Sequence, residues 1–209
     1  LEQLELAWQR ERQFTRMAAH EIKTPLTILR LNAENALHSQ DKEQLEQDLS
    51  NLLKGIDRTG RVLHQLLTLA KVDSITNLEK QEVVLNNVLQ STLSDLAQLA
   101  LRNDQHLSLE GDTCSIQGDA FLLGLLFRNL IDNAIDAMAD SENPTLELRT
   151  VQEKGRVIVS IIDSGTGIPP EIKSRIFDPF YTTKDVGKGT GLGLDVVVKI
   201  VDQHNGNIE

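Results

Sequence analysis

A histidine and a carboxylate stand next to each other early in the chain, at His20 and Glu21. With helical spacing, the apolar residues Phe14, Ala18 and Ile22 share one stripe, and His20 projects from the opposite side toward water. The Glu21 carboxylate can accept a proton from the imidazole and hold its tautomer, which leaves the other ring nitrogen as a nucleophile. An exposed histidine is also an ordinary surface residue, and both interpretations stay open at this point.

A hydroxyl and a proline follow within the next turn. Thr24 projects within about 40° of the direction of His20, where its hydroxyl can orient a water molecule for hydrolysis. Pro25 removes a backbone donor and crowds the preceding turn, so a bend is expected beside the histidine. The bend is either a tolerated kink or a two-state element through which upstream signals alter the exposure of His20.

A second polar group lines one flank of a helix predicted over residues 119–139. It consists of Asn129, Asn133 and Asp136. Two amides and a carboxylate one turn apart can bind Mg²⁺ and phosphate oxygens. Such a flank is also typical of solvated surface.

A third candidate follows a predicted apolar strand, where Asp163 precedes Gly165 and Gly167. A carboxylate at a strand end can accept a hydrogen bond from an adenine amino group, while the two glycines let the backbone pass close to the ring. A simple turn explains the same string.

Four glycines occur within seven residues directly before a predicted helix, at Gly187, Gly189, Gly191 and Gly193. Main-chain N–H groups of such a segment can turn toward a phosphate, with the helix dipole behind them. The segment is neither a dinucleotide fingerprint nor a P-loop, because no strand feeds it directly and no Gly-Lys-Ser/Thr closes it. We interpret it as a phosphate-binding loop, with a linker as the alternative.

An aromatic segment lies between these motifs. Phe177, Phe180 and Tyr181 are three of the seven aromatic residues of the chain. They could anchor a mobile lid over a nucleotide, with Lys184 reaching its terminal phosphate, or they could fill a local core.

Hydrophobic periodicity predicts two long helices at the start of the chain, over residues 1 to about 37 and 45–70. The polar stretch 38–41 predicts a turn that makes them antiparallel. One apolar stripe on each helix cannot enclose a core, so a second copy of the hairpin is expected to complete a dimeric four-helix bundle. A simple dimerisation coiled coil explains the stripes equally well.

The composition changes after residue 74, and the remaining ~130 residues are long enough to bury a core. Strands and helices in mixed order favour an α/β sandwich with helices on one face of a mixed sheet. The predicted strands are 106–109, 146–151 and 156–163, the last two joined as a hairpin at 153–155, and the predicted helices are 85–102, 119–139, 170–176 and 193–204.

The overall composition narrows the class of protein. With 40% hydrophobic and 25% charged residues the chain is expected to fold, and its formal charge of −10 opposes binding to nucleic acid. No stretch approaches the roughly 20 uncharged apolar residues of a bilayer-spanning helix, and the first residues lack a secretory-signal layout. The single cysteine, Cys114, excludes an internal disulfide and favours a reducing, cytosolic compartment.

Taken in order, five segments resemble the H, N, G1, F and G2 boxes of a bacterial sensor histidine kinase. The segments are His-Glu-Ile-Lys-Thr-Pro-Leu-Thr from His20, Asn-Leu-Ile-Asp-Asn-Ala from Asn129, Asp163-x-Gly165-x-Gly167, Phe177-x-x-Phe180 and Gly187-x-Gly189-x-Gly191-Leu-Gly193. They cover almost the whole chain.

The resemblance implies an α+β protein of two domains. Residues 1–74 would form the dimerisation and histidine-phosphotransfer hairpin, 75–80 a linker, and 81–209 an ATP-binding α/β sandwich of the kind shared with Hsp90-like ATPases. The family's sandwich normally continues past the position of Glu209, so a C-terminally truncated domain is expected.

The resemblance also implies roles for individual residues. His20 matches the phosphoacceptor, Glu21 its base and Thr24 the phosphatase residue, while Asn133 matches the Mg²⁺ ligand. The residues matched to the ATP site are Asn129, Asn133, Asp163, Gly165, Gly167, Phe180, Lys184, Gly187, Gly189, Thr190, Gly191, Leu192 and Gly193, with Asp163 as the adenine-reading carboxylate.

The implied partners are a second copy of the chain, bound through the hairpin, and the receiver domain of a response regulator. The implied activity is ATP-dependent autophosphorylation, with transfer to an aspartate of the regulator and dephosphorylation of that regulator. The fragment itself is expected to be soluble, as the cytoplasmic portion of a parent anchored in the bacterial inner membrane.

Two other classes stay open at this level. An Hsp90-like ATPase that works by conformational closure explains the nucleotide boxes but leaves His20 and Thr24 unused. A non-catalytic dimeric scaffold requires a degenerate nucleotide site, and the intact Asn133, Asp163 and glycine loop argue against one.

Overall fold

The computed structural model describes residues 2–39, 41–74, 78, 80–179, 181–183 and 191–209, and within the first two helices it describes part of the side chains. The chain divides into two compact units, one holding the N-terminal helices up to Lys71 and the other running over Val72–Pro179 and Gly193–Glu209.

The first unit is a helical hairpin of α1 (Glu2–His38) and α2 (Lys42–Ser74). The helices approach closely at Gly55, where an added Cβ atom would lie 2.7 Å from Leu29 Cδ2. α1 continues through Pro25, which is buried, so the expected bend does not end the helix.

Large apolar side chains remain exposed along both helices of the hairpin. Those in the described part of the chain are Leu26, Ile28, Leu31, Leu37, Leu49, Leu53, Ile56 and Leu63. Exposed apolar surface of this extent is typical of a helical unit that packs against another molecule.

The second unit alternates strands and helices. In chain order its elements are β1 (Gln81–Val84), α3 (Leu85–Arg102), β2 (His106–Gly111), β3 (Ser115–Gly118), α4 (Ala120–Ala137), β4 (Thr145–Glu153), β5 (Arg156–Asp163), a 3₁₀ turn (Pro170–Ile172) and α5 (Gly193–Gln203).

The main sheet has the order β2-β4-β5 and is mixed, because β2 is parallel to β4 whereas β4 is antiparallel to β5. The β4–β5 connection is a two-residue turn with positive φ at Lys154 (51°) and Gly155 (78°). Two such residues match the right-handed strand twist, which explains the tight hairpin.

One face of this sheet is apolar and carries the helices. Leu107 pairs with Leu146 and Leu109 with Leu148, and paired residues point to the same face. α3 contacts β2, and α4 contacts β5 as well as both neighbouring helices. The predicted arrangement of helices on one face of a mixed sheet is confirmed.

One sequence expectation is wrong, and two strands were missed. The helix predicted over residues 170–176 is only the 3₁₀ turn Pro170–Ile172 followed by turns, because the segment is too short to repay helix nucleation before Pro179. The strands β1 and β3, which pair antiparallel in a second small sheet, were not predicted. Each has four residues, so neither shows a clear alternation.

Among the described residues, no helix combines the length and the apolar character that crossing a bilayer requires.

Candidate functional site

The side chains of Asn129, Asn133 and Asp136 form the polar flank of α4, and the cap at the start of the helix fixes their position along it. Asp119 caps α4, because its Oδ1 accepts hydrogen bonds from the N–H groups of Phe121 (2.8 Å) and Leu122 (3.0 Å). The opposite face is buried in the core at Phe127, Ile131 and other apolar residues. Burial of one face turns the polar flank away from the core.

The first residue of α5 lies against this flank. A Cβ atom added to Gly193 would lie 3.1 Å from Asn129 Oδ1 and 3.8 Å from Asn133 Nδ2. The Asn129 amide is oriented by its own helix, since its Nδ2 donates to the Leu125 carbonyl at 2.9 Å. The positive end of the α5 dipole and the two amides therefore meet at one place, as an anion site requires.

The donor set also fits a magnesium ion. Amide and phosphate oxygens are the hard ligands that Mg²⁺ prefers. Asn133 is half-buried and Asp136, one turn further along α4, is exposed. The fit rests on the amide oxygen of Asn133 and the carboxylate of Asp136, which are both hard oxygen donors.

Asp163 ends β5 on the face of the sheet that the helices cover. It pairs with Leu146, which is buried on that face. Its Oδ1 accepts the Gly165 N–H at 2.9 Å, while the residue itself remains exposed. A Cβ atom added at Gly165 would lie 2.8 Å from this Oδ1 atom and 2.7 Å from the Ala137 carbonyl oxygen, so the carboxylate lies at the end of α4.

Gly165 is required by a close approach of two backbones. A Cβ atom there would lie 2.7 Å from the Ala137 carbonyl oxygen, at the last residue of α4. The turn after Asp163 therefore packs directly on the C-terminal end of α4. Gly167 adopts a φ of +71°, a conformation that favours glycine.

Of the predicted glycine loop, the structure describes only the end. Gly191 has a φ of +66°, and Leu192, which directly precedes α5, is fully buried. The predicted site residues Phe180, Lys184, Gly187, Gly189 and Thr190 lie outside the described residues. Their roles stay predictions.

In the hairpin, His20 is exposed on α1, on the side that the apolar spacing predicted. Thr24 is half-buried, and its hydroxyl donates to the His20 carbonyl oxygen at 3.1 Å. The hydroxyl therefore lies one turn from the imidazole on the same side of the helix. The side chain of Glu21 lies outside the described part of the chain.

A groove with a volume of about 470 Å³ runs along α1, and its first lining residue, Ala19, directly precedes His20 in the sequence. It is lined by Ala19, Ile22, Lys23, Leu26, Thr27 and Arg30. The lining is mostly apolar, and Lys23 and Arg30 are its two cationic residues.

One connection was missed by sequence reasoning. The His204 ring accepts the Asp119 N–H on Nε2 (3.0 Å), and its Nδ1 contacts the Ile200 carbonyl (2.8 Å), which assigns the proton to Nδ1. This histidine ties the C-terminal end of α5 to the cap of α4. Asp119 before an apolar run was a recognisable cap signal, whereas nothing local to His204 indicated its partner.

Two family descriptions match the sequence. "His Kinase A (phospho-acceptor) domain" covers residues 10–75, and "Histidine kinase-, DNA gyrase B-, and HSP90-like ATPase" covers residues 118–209. The matches follow one another along the chain: the first spans most of the hairpin, and the second includes α4, β4, β5 and α5.

Individual proteins agree with this assignment. Sensor protein QseC of Escherichia coli K12 is 38% identical over 205 residues, which cover 96% of this chain and 44% of QseC. The catalytic domain of histidine kinase ThkA is 32% identical with a TM-score of 0.57, over 63% of this chain and 87% of the ThkA chain.

A crystal structure of ThkA in complex with response regulator protein TrrA has a TM-score of 0.75 and 25% identity, over 98% of this chain and 60% of the ThkA chain. The chain belongs to the family of bacterial sensor histidine kinases. It spans less than half the length of the curated relative QseC.

Proposed function

We propose that the chain is the catalytic core of an ATP-dependent protein-histidine kinase that phosphorylates His20 and passes the phosphoryl group to an aspartate of a response regulator. One observation carries this proposal, namely the approach of Gly193 to Asn129 and Asn133, which brings the N-terminus of α5 to two amides of α4 and supports a phosphate site there. The family assignment supports the same activity.

The proposed nucleotide lies along α4. Asp163 stands at the end of α4 near Ala137, and the anion site stands at Asn129, eight residues earlier. Eight residues of helix rise about 12 Å, which suits an extended nucleoside triphosphate. We assign the adenine amino group to Asp163, with Gly165 and Gly167 beside the ring, and the phosphates to the amides, the N-terminus of α5 and the segment 187–193.

Asn133 is the proposed ligand of a magnesium ion, with Asn129 in support. When bound, the ion would neutralise charge on the phosphate oxygens. The amides keep the phosphate chain in a fixed position on α4, and the α5 dipole adds to the positive potential there. Lys184 is proposed to reach the terminal phosphate and Phe180 to belong to the lid.

His20 is the proposed nucleophile. One ring nitrogen forms a bond to the γ-phosphorus, the bond from that phosphorus to the β,γ-bridging oxygen breaks, and ADP leaves. Glu21 is proposed to take the proton of the imidazole. The resulting phosphoramidate passes its phosphoryl group to an aspartate oxygen of the regulator.

Thr24 is the proposed phosphatase residue. Its hydroxyl lies one turn from His20, where it can orient a water molecule toward an aspartyl phosphate docked at the histidine. Hydrolysis would then return the regulator to its unphosphorylated state.

We further propose that the hairpin forms a homodimer and that the regulator binds at the exposed surface of α1. The exposed apolar residues of the hairpin, such as Leu26 at 50% exposure, support an intermolecular surface. The complex of ThkA with TrrA supports a regulator as partner. The proposed domains are 1–74, 75–80 and 81–209, in the cytoplasmic part of a parent anchored in the inner membrane.

The test is labelling with ATP that carries ³²P in the γ-position. The chain should incorporate acid-labile, alkali-stable label, and His20→Ala should abolish it while nucleotide binding persists. His38→Ala, at the exposed end of the same helix, is the matched control and should label normally.

Undiminished labelling of the His20→Ala variant would overturn the assignment of the phosphoacceptor. Release of phosphate without any protein labelling would favour the Hsp90-like ATPase instead, and a chain that binds no nucleotide would favour the scaffold.

A further inference from the structure

The residue between Asp163 and Gly165 is the centre of a hydrogen-bonded clamp. The Ser164 hydroxyl accepts the Thr145 N–H at 2.9 Å and donates to the Asn143 carbonyl oxygen at 3.1 Å. The Ser164 carbonyl oxygen accepts the Ser141 hydroxyl at 3.0 Å. Ser164 also donates its N–H to the Thr145 carbonyl at 3.1 Å, and its hydroxyl lies 3.6 Å from Met138 Sδ. These bonds join Ser164 to the connection between α4 and β4 and to the first residue of β4.

This clamp lies where the regular sheet ends. The ladder between β4 and β5 stops at the pair Leu146 and Asp163. At the next pair, the Ser164 hydroxyl replaces a backbone carbonyl as the acceptor of the Thr145 N–H. The next residue, Gly165, packs directly against the Ala137 carbonyl at the end of α4. The Asp163 carboxylate is held by the Gly165 N–H at 2.9 Å, and Ser164 is the residue that connects the two, so the direction of the carboxylate depends on how Ser164 is anchored.

We propose that Ser164, assisted by Ser141, is a positioning residue that aims the Asp163 carboxylate and thereby sets the preference of the site for adenine. This inference rests on the proposed ATP site. Ser164 itself does not contact the base and acts through Asp163.

The chemistry of the base gives this positioning a specific consequence. Adenine presents an amino donor at C6, whereas hypoxanthine presents a carbonyl acceptor at the same place. A carboxylate accepts hydrogen bonds and donates none, so a correctly aimed Asp163 favours adenine and repels hypoxanthine. A misdirected carboxylate attracts the adenine amino group less and repels the hypoxanthine carbonyl less. The ratio of the two affinities therefore falls more than the affinity for either nucleotide.

The experiment measures the Kd of ATP and of inosine triphosphate by titration calorimetry. Ser164→Ala should weaken ATP binding about fivefold, which corresponds to loss of one or two hydrogen bonds, and should leave inosine triphosphate binding unchanged or slightly tighter. Ser164→Thr keeps the hydroxyl and should therefore restore the preference.

Ser94→Ala is the matched control, because Ser94 is also exposed and loses only a bond to the Gln90 carbonyl within α3. It should bind both nucleotides like the parent chain. If Ser164→Ala unfolds, Ser141→Ala removes a single bond of the clamp and should shift the selectivity in the same direction by a smaller factor.

Unchanged selectivity in folded Ser164→Ala, or an equal loss for both nucleotides, would overturn the positioning role, because a merely structural defect weakens both. The Asp163→Asn variant distinguishes failure of the Ser164 role from failure of the proposed ATP site. If Asp163→Asn keeps the preference for ATP, the assignment of the adenine contact is at fault; if it loses the preference while Ser164→Ala keeps it, only the role of Ser164 is refuted.

Discussion

Gly193 and Asn129 lie so close that a Cβ atom on the glycine would stand 3.1 Å from the Oδ1 atom of the asparagine. The contact joins the first residue of α5 to the polar flank of α4. Because only glycine leaves this gap open, the N–H groups at the start of α5 can approach whatever anion the flank binds.

Gly193→Ala should therefore weaken nucleotide binding by roughly fivefold, equivalent to about 1 kcal/mol, because Asn129 must move by a few tenths of an ångström. Calorimetric titration with ATP and Mg²⁺ measures the change in Kd. Gly124→Ala, on the same helix as Asn129, meets nothing closer than 3.7 Å and should bind normally while raising stability by about 0.5–1 kcal/mol. Equal affinities of the two variants would contradict the role of the contact.

Asn133→Ala should remove the magnesium-dependent part of nucleotide affinity. We expect a loss on the order of 100-fold when Mg²⁺ is present and a much smaller one when it is chelated. Titrations with and without EDTA provide the measurement. Asn87→Ala, at an exposed position of α3, is the control, and a loss of the same size in EDTA would show that Asn133 acts without the ion.

Thr24→Ala should separate the two proposed activities of the hairpin. Labelling of His20 should persist, whereas dephosphorylation of the regulator should slow on the order of tenfold or more, because the water loses its orienting hydroxyl. Thr59→Ala removes an equivalent hydroxyl bond to the Gly55 carbonyl (2.8 Å), on α2 and away from the proposed regulator surface, and should leave both rates unchanged. A Thr24→Ala chain with normal dephosphorylation would assign the water to another group.

Cys114 should make stability fall at alkaline pH. Burial, with a smaller contribution from Asp112, raises the pKa of this thiol, so the folded chain keeps its proton at a pH where the unfolded chain has lost it. The free energy of unfolding then decreases as pH rises above the ordinary thiol pKa, over roughly pH 8 to 10. Urea midpoints of the parent and of Cys114→Ala measure the difference.

The same burial predicts slow alkylation of the native chain. Cys114 has no exposed surface, and its Sγ donates weakly to the Asp112 carbonyl at 3.5 Å. Iodoacetamide should modify it quickly only in denaturant, as one added mass per chain, because the sequence holds a single cysteine. Fast modification of the folded chain, or parallel pH profiles of the two chains, would refute the buried-thiol interpretation.

The sequence by itself determined the long elements and the motifs. α3 and β5 have the predicted bounds, and the exposure of His20 followed from the spacing of its neighbours, because helical and strand periodicity are local properties. The family resemblance likewise required only the order of short segments along the chain.

Only the tertiary structure decided what the motifs do together. Asn129 and Gly193 are 64 positions apart, and their contact depends on how α5 packs on α4, which no local pattern encodes. The pairing of β1 with β3, the tie from His204 to Asp119 and the clamp around Ser164 are likewise long-range. Such contacts are fixed by strand register and core packing, which depend on the whole chain at once.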